Sequence, residues 1–146
     1  QAWAIYGFAI SYIHTKDASY LDTAKKAAHY FISAVSDDYL PRCDFRSAEN
    51  PIFYDSTAGM IAVCGLLEIA NNVSDFEKNM YYSSALKLMC AAEKNFCDFD
   101  CNTDGVLTMG TESYGAGTRK NVPIIYGDYY FAEALARLCG KDVMFW

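Results

Sequence analysis

A chain of 146 residues, of which 53% are hydrophobic, is long enough to form one globular domain with a sizeable core. Its net charge of −6 comes from 18 acidic and 12 basic residues, and no run of Lys or Arg could neutralise consecutive phosphates, so we expect no nucleic-acid partner. It has no stretch of about twenty uninterrupted apolar residues, so we predict no membrane-spanning helix and no membrane partner.

Hydrophobic periodicity predicts five helices. The first is apolar on most of its circumference and lacks a capping residue, whereas the second is amphipathic, with Lys25, Lys26 and His29 on its solvent side. The third is again apolar almost throughout and has Asp55 or Ser56 as its N-cap. The fourth is amphipathic, and the fifth, which follows a long Gly-rich stretch, is aromatic and apolar. In chain order, the predicted helices cover residues 1–14, 19–35, 57–72, 75–96 and 125–140.

The alternation of apolar and amphipathic helices predicts an all-α fold in which inner and outer helices alternate. The apolar helices carry a glycine at corresponding places, namely Gly7, Gly65 and Gly127. A ring or solenoid of helical hairpins buries such a pattern most simply. Two and a half hairpins cannot close a ring, and the first helix begins without a cap, so we expect residues to be missing before Gln1.

The six cysteines favour reduced thiols over a metal site. Cys64, Cys90 and Cys139 lie inside apolar helical runs, where a free thiol behaves as a small hydrophobic group. Cys97 and Cys101 are the best candidates for a pair, but their spacing does not match a zinc site, and we predict no metal. Reduced thiols favour a reducing, cytoplasmic location.

Four stretches resemble glycoside hydrolase family 88, the unsaturated glucuronyl hydrolases. They are QAWAIYGFAISY, the CDF that precedes DSTAGMIAVCGLLEIA, SYG, and YGDYYFAEALARL, and they follow one another in the order that the family has them. The resemblance implies a six-hairpin (α/α)6 barrel. It further implies that residues 1–146 are the C-terminal part of a single barrel-shaped catalytic domain, truncated at its N-terminus, whose missing N-terminal part is the partner of this chain.

The activity implied by the resemblance is removal of a 4,5-unsaturated uronic acid from the non-reducing end of oligosaccharides that polysaccharide lyases generate. In this family an aspartic acid protonates the vinyl ether at C4, water adds at C5, and the resulting hemiketal opens to release the next sugar. The chemistry requires a carboxyl group in a partly desolvated pocket and no cofactor. The family's two catalytic aspartates precede the segment that matches Gln1, so we expect no catalytic residue within this chain.

The resemblance assigns substrate binding to five residues. Trp3 matches a Trp that lies against the unsaturated ring, and Gln1 matches the Gln of the same R-G-Q-x-W motif, with an amide suited to sugar hydroxyls. Tyr114, in SYG, matches a loop tyrosine near the leaving sugar. Arg119 and Lys120 are candidates for a uronate carboxylate or a sulfate, although a solvated loop explains both cations as well.

Three aspartates have structural explanations. Asp55 precedes a helix as an N-cap does, which we favour over a role in acid–base catalysis. Asp128 lies at the head of the fifth helix, where a carboxylate complements the macrodipole. Asp44 lies where the family has Trp-Asp-Phe, but Cys43 replaces the tryptophan, which puts stacking at that place in doubt.

Two other functions remain open at this stage. The unsaturated rhamnogalacturonyl hydrolases share the fold and chemistry but have R-G-N where family 88 has R-G-Q, so Gln1 favours family 88. A noncatalytic helical-hairpin module that binds proteins on a concave aromatic surface is the alternative from another class.

Overall fold

The computed structural model describes residues 1–48, 50–100, 103–115 and 117–141. Within these ranges the chain forms five α-helices, α1 to α5, and no β-strand longer than an isolated bridge. The helices cover Ala2–Thr15, Ala18–Ala34, Ser56–Asn72, Asp75–Phe96 and Ile125–Leu138. The all-α prediction is therefore confirmed, and every predicted helix boundary lies within two residues of the observed one. None of the helices in the described ranges is long and apolar enough to cross a bilayer.

Helix α3 is the centre of the fold. It contacts all four other helices, and its contacts with α4, α1 and α5 are more extensive than its contact with α2. From Ser56 to Ala70 all of its residues are buried except Ala58, which is partly exposed. The apolar character of this helix therefore reflects contact with neighbours on every side.

Helices α2 and α4 form an outer layer. Helix α2 buries Ala24, Ala28 and Phe31 at helical spacing and exposes Lys26, His29 and Tyr30 between them. The carboxylate of Asp17 accepts a hydrogen bond from the backbone N–H of Ser19 at 2.9 Å, which caps the start of this helix. Helix α1 pairs with α2, and α3 pairs with α4, so the predicted alternation of inner and outer helices is confirmed.

The two inner helices at the ends of the row are exposed on one side. The side chains of Trp3, Ile125 and Tyr126 are 59%, 73% and 61% exposed. Helices α1 and α5 pack mainly against α3, and side chains such as Trp3 and Tyr130 connect them to each other. Between them lies an apolar groove of about 580 Å³, lined by Trp3, Tyr6, Gly7, Ile10, Ile125, Tyr126, Tyr129 and Tyr130.

A buried ionic network joins the three inner helices. The guanidinium of Arg137 on α5 forms ion pairs with Glu133, one turn earlier, and with Glu68 on α3. It also donates a hydrogen bond of 3.1 Å to the hydroxyl of Tyr6 on α1, and that hydroxyl donates to the carboxylate of Glu133. Sequence analysis did not identify this network, because its members are 62 to 131 residues apart except for Glu133 and Arg137.

The expectation that three cysteines act as small hydrophobic groups holds for Cys64, which is buried. It is wrong for Cys90 and Cys139, which are exposed. Cys64 lies in α3 and is fully buried, whereas Cys90 is on the solvent side of α4, and Cys139 follows the last residue of α5. Cys97 is a free thiol in the structure. Its proposed partner, Cys101, lies outside the described residues.

The three corresponding glycines have different surroundings. A Cβ atom on Gly65 would lie 2.8 Å from the backbone nitrogen of Tyr6, so α1 and α3 touch closely at this point. A Cβ atom on Gly127 would lie 3.0 Å from the side chain of Leu107, whereas one on Gly7 would have no neighbour within 4 Å. Only the glycine of the central helix is required for contact between helix backbones.

We therefore expect opposite effects of two matched substitutions. Gly65→Ala forces α1 and α3 apart and should lower the free energy of unfolding by about 1 to 3 kcal/mol. Gly7→Ala meets open space and should raise it by about 0.5 to 1 kcal/mol, because alanine favours the helix. Chemical denaturation of the two variants beside the parent protein checks both, and equal effects would contradict the close contact at Gly65.

Candidate functional site

The main cavity lies where α1 and α3 begin. It has a volume of about 620 Å³ and is bounded by the starts of these two helices, the C-terminal half of α2 and two loops. Because the N-terminal ends of α1, α3 and α5 lie on this side of the molecule, their macrodipoles favour negative charge there. The polar and aromatic side chains of the wall are Gln1, Trp3, Tyr30, Phe31, Arg42, Cys43, Asp44, Phe45, Arg46, Asp55, Thr57, Thr111, Glu112, Ser113 and Tyr114.

Backbone pairing holds the first loop of the cavity in place. Arg42 and Tyr54 form an antiparallel bridge, and on either side of it Cys43 N–H donates to the Phe53 carbonyl at 2.8 Å and Asp55 N–H donates to the Pro41 carbonyl at 2.8 Å. The residue before the bridge, Pro41, is buried against α3 at Gly59. Arg42 and its neighbours therefore have fixed positions beside the start of α3.

The second loop is anchored to the inner helices α3 and α5. The hydroxyl of Ser56 donates to the carbonyl of Thr108 at 2.5 Å, and the carboxylate of Asp128 accepts from the backbone N–H of Leu107 at 2.7 Å. A bridge between Gly110 and Val122 then closes the loop that carries Tyr114. Asp128 lies in the first turn of α5, as predicted, and its carboxylate also holds this loop.

Asp55 is the N-cap of α3, as predicted, and it also forms part of the cavity wall. Its carboxylate accepts a hydrogen bond from the backbone N–H of Ala58 at 3.2 Å. Burial raises the pKa of this carboxyl above its ordinary value, although backbone N–H groups around it act in the opposite direction. A structural cap at this position therefore places a carboxyl group with an elevated pKa at the wall of the cavity.

Gln1 and Trp3 meet in the main cavity. The carbonyl of Gln1 accepts hydrogen bonds from Ala4 and Ile5 at the start of α1, while its side chain is exposed at the cavity. The indole of Trp3 packs edge-on against Tyr130, with ring centroids 5.6 Å apart and planes at 84°. This contact with α5 orients an indole that is still 59% exposed, so one face is free for a ligand.

Tyr114 and Lys120 lie together at the opposite wall. The ring of Tyr114 packs edge-on against Phe53 at 6.0 Å, and the Lys120 ammonium lies 4.3 Å from the Phe53 centroid and 5.7 Å from the Tyr114 centroid. Lys120 therefore supports Tyr114 through cation–π contacts. The structure brings Gln1, Trp3 and Tyr114 to the same cavity, with Lys120 next to the last of them.

Arg119 lies outside the main cavity. It lines an adjoining depression of about 780 Å³, which shares Trp3, Asp55, Thr57, Thr111 and Glu112 with the main cavity. Its guanidinium lies 3.7 Å from the Glu112 carboxylate, and both side chains are largely exposed. Arg119 has a backbone φ of 60°, in the left-handed region.

Cys43 and Asp44 contribute little chemistry to the wall. Burial raises the pKa of the Cys43 thiol, and the nearby carboxylates of Asp55 and Asp44 raise it further, so this thiol stays protonated at neutral pH. Asp44 is exposed, and its carboxylate accepts from the backbone N–H of Arg46 at 2.8 Å. Neither residue has the environment of a nucleophile or a general acid.

Sequence analysis missed several polar wall residues. Arg42, Thr57, Thr111 and Glu112 all line the main cavity. Each is within three residues of a stretch that the analysis did single out, namely CDF, DSTAG or SYG. Proximity to these stretches was the available signal, but the direction of each side chain depends on the loop contacts described above.

Comparisons with known proteins agree on one group of relatives. No protein-family model matches the chain. The unsaturated glucuronyl hydrolase of Bacillus sp. strain GL1 is 36% identical over 142 residues, which cover 94% of this chain and 38% of that protein. An unsaturated chondroitin disaccharide hydrolase of Streptococcus pyogenes is 30% identical over 94% of this chain and 35% of its own length. The chain thus spans less than two fifths of the length of these relatives.

Solved structures show the same fold. The Bacillus sp. GL1 unsaturated glucuronyl hydrolase superposes with a TM-score of 0.88 at 33% identity, covering 94% of this chain and 37% of that one. A variant of the Streptococcus agalactiae enzyme, solved in complex with dGlcA-GalNAc6S, gives a TM-score of 0.90 at 26% identity over 99% of this chain and 40% of that one.

The alternating inner and outer helices are thus those of part of an (α/α)6 barrel with a polar and aromatic cavity at one end. The relatives and structural neighbours of the chain are unsaturated glucuronyl hydrolases, of glycoside hydrolase family 88.

The elevated pKa of Asp55 predicts a pH-dependent effect of Asp55→Asn. The folded carboxyl binds its proton more tightly than the unfolded one, so the folded protein loses stability as the pH rises from the ordinary Asp pKa through the raised one. Asparagine also caps helices but does not ionise. The variant should therefore become more stable relative to the parent as the pH rises across this window. Urea denaturation at several pH values measures the difference, and a constant difference would contradict the prediction.

Proposed function

We propose that the protein containing this chain is a glycoside hydrolase that removes a 4,5-unsaturated uronic acid from the non-reducing end of oligosaccharides produced by polysaccharide lyases. The observation that carries the proposal is the convergence of Gln1, Trp3 and Tyr114 on one cavity. These residues come from opposite ends of the chain, and the fold that joins them is the fold of enzymes named for this activity.

The cavity suits an anionic sugar. Trp3 offers an exposed indole face to the CH groups of a sugar ring, and Gln1 offers amide donors and an acceptor to its hydroxyls. Tyr114 borders the leaving sugar, and Lys120 holds this tyrosine and supplies positive charge beside it. Arg119 lines the adjoining depression, where it binds an extension of the substrate. The related Streptococcus agalactiae structure contains dGlcA-GalNAc6S, a ligand of the class that we propose.

The acid that protonates C4 comes from outside these 146 residues. Within the described cavity wall every carboxylate is engaged: Asp55 caps α3, Asp44 accepts from Arg46, and Glu112 faces Arg119. We therefore assign substrate binding to this chain and proton transfer to another part of the same enzyme. The apolar groove between α1 and α5 is the surface on which that part of a single barrel domain packs.

A reducing, cytoplasmic location fits the thiols of this chain. Cys43, Cys64, Cys90, Cys97 and Cys139 are all free. Two of them are exposed, where an oxidising compartment would favour their reaction.

An absorbance assay tests the proposed reaction. Hydration destroys the conjugated double bond of the unsaturated ring, so the full-length protein should abolish the ultraviolet absorbance of a lyase-generated disaccharide. The 146-residue chain alone should leave the absorbance unchanged. Turnover by the chain alone would contradict the assignment of the acid, and a stable signal with the full-length protein would contradict the reaction itself.

Trp3→Ala in the full-length protein tests the binding role. Loss of the indole should lower kcat/KM by about tenfold or more, and Trp3→Phe should restore part of it, because an aromatic face returns. Tyr82→Ala on the outer surface of α4 removes an aromatic ring that is 40% exposed and far from the cavity, so it serves as the control. Equal activities of Trp3→Ala and Tyr82→Ala would contradict a role of Trp3 in substrate binding.

A further inference from the structure

The carboxylates of the main cavity are held by groups of the protein itself. Asp55 interacts with the start of α3, Asp44 with a backbone N–H, and Glu112 with Arg119 across 3.7 Å. Burial also raises the pKa of Asp55, because desolvation disfavours its charged form. The acidic residues of the wall are thus largely committed to structural contacts.

Arg42 is the partly buried cation of this wall. Its side chain is partly buried and lines the cavity, and within residues 1–48, 50–100, 103–115 and 117–141 its guanidinium forms neither an ion pair nor a side-chain hydrogen bond. Removing a cation from water is costly unless an anion compensates for the loss. A partly buried guanidinium without a protein partner can bind a ligand with a planar or tetrahedral set of oxygens.

The backbone keeps Arg42 in place. The bridge to Tyr54 and the two hydrogen bonds that flank it, each 2.8 Å long, attach this residue to the segment that leads into α3. Two of the other cations near the cavity are already engaged, since Arg119 faces Glu112 and Lys120 lies over two aromatic rings. Arg46, the next cation along the loop, also lines the cavity but is exposed.

We propose that Arg42 binds an anionic group of the bound oligosaccharide and thereby determines which substrates the enzyme prefers. The group is a carboxylate or a sulfate ester, both of which offer oxygens in an arrangement that a guanidinium binds through two hydrogen bonds. This inference rests on the proposed function, and it adds a specificity-determining residue that differs from Gln1, Trp3, Tyr114, Arg119 and Lys120.

Kinetics of Arg42→Gln in the full-length protein test the proposal. With unsaturated disaccharides that carry the uronate carboxylate alone, or the carboxylate and a sulfate, KM should rise by about 10- to 100-fold while kcat changes less than threefold. A rise with both substrates identifies the carboxylate as the ligand. A rise with the sulfated substrate alone identifies the sulfate. Arg42→Lys should restore part of the affinity, because it returns the charge without the planar fork.

Two controls separate specific binding from a change in net charge or in folding. Lys26→Gln removes one positive charge from an exposed position on α2, outside the cavity, and should leave KM unchanged. The melting temperature of Arg42→Gln should equal that of the parent within about 2 °C.

Several outcomes would overturn the proposal: a KM within twofold of the parent on both substrates, an equal rise in Lys26→Gln, or a loss of stability that accounts for the loss of affinity. Calorimetric titration with the same disaccharides gives Kd without turnover. If the parent binds them but does not hydrolyse them, the proposed function fails, while a weaker Kd for Arg42→Gln still supports this inference.

Discussion

The ion pairs of Arg137 with Glu68 and Glu133 are the constraint on which the arrangement of the inner helices depends. All three side chains are at least 90% buried, and with the Tyr6 hydroxyl they connect α1, α3 and α5 through hydrogen bonds to charged groups. Burial and the Glu133 carboxylate raise the pKa of Tyr6, so its hydroxyl remains a donor at any physiological pH. Buried groups of this kind tolerate few alternative arrangements, because a displaced member leaves an unpaired charge.

The alignment of the inner helices decides where their N-terminal ends lie, and those ends carry the cavity. Trp3 follows the start of α1, Asp55 caps α3, and Ile125 begins α5. The close contact of Gly65 with the backbone of Tyr6 acts in the same direction as the ionic network, since it brings α1 and α3 together without an intervening side chain. The aromatic pair of Trp3 and Tyr130 adds a third connection, between α1 and α5, next to the cavity itself.

The loops use polar groups at the helix starts as anchors. Ser56 and Asp128 each hold the segment around Leu107 and Thr108, so the loop that continues to Tyr114 begins from a fixed point. Asn121 completes this arrangement, because its side-chain oxygen accepts from the backbone N–H of Tyr54 and joins the two loops of the cavity. Polar residues in the first turns of α3 and α5 therefore also set the geometry of the wall opposite Trp3.

The sequence by itself determined the five helices, their alternation and the N-cap at Asp55, because these depend on local periodicity and capping chemistry. Four short stretches also indicated the family and directed attention to Gln1, Trp3 and Tyr114. Only the tertiary structure decided that Lys120 packs beneath Tyr114, that Arg119 lies in the adjoining depression and that Arg42 lines the main cavity. It also decided that Arg137, Glu68 and Tyr6 meet. Such contacts join residues that are far apart in the chain, and no local pattern records which distant side chain will face a given one.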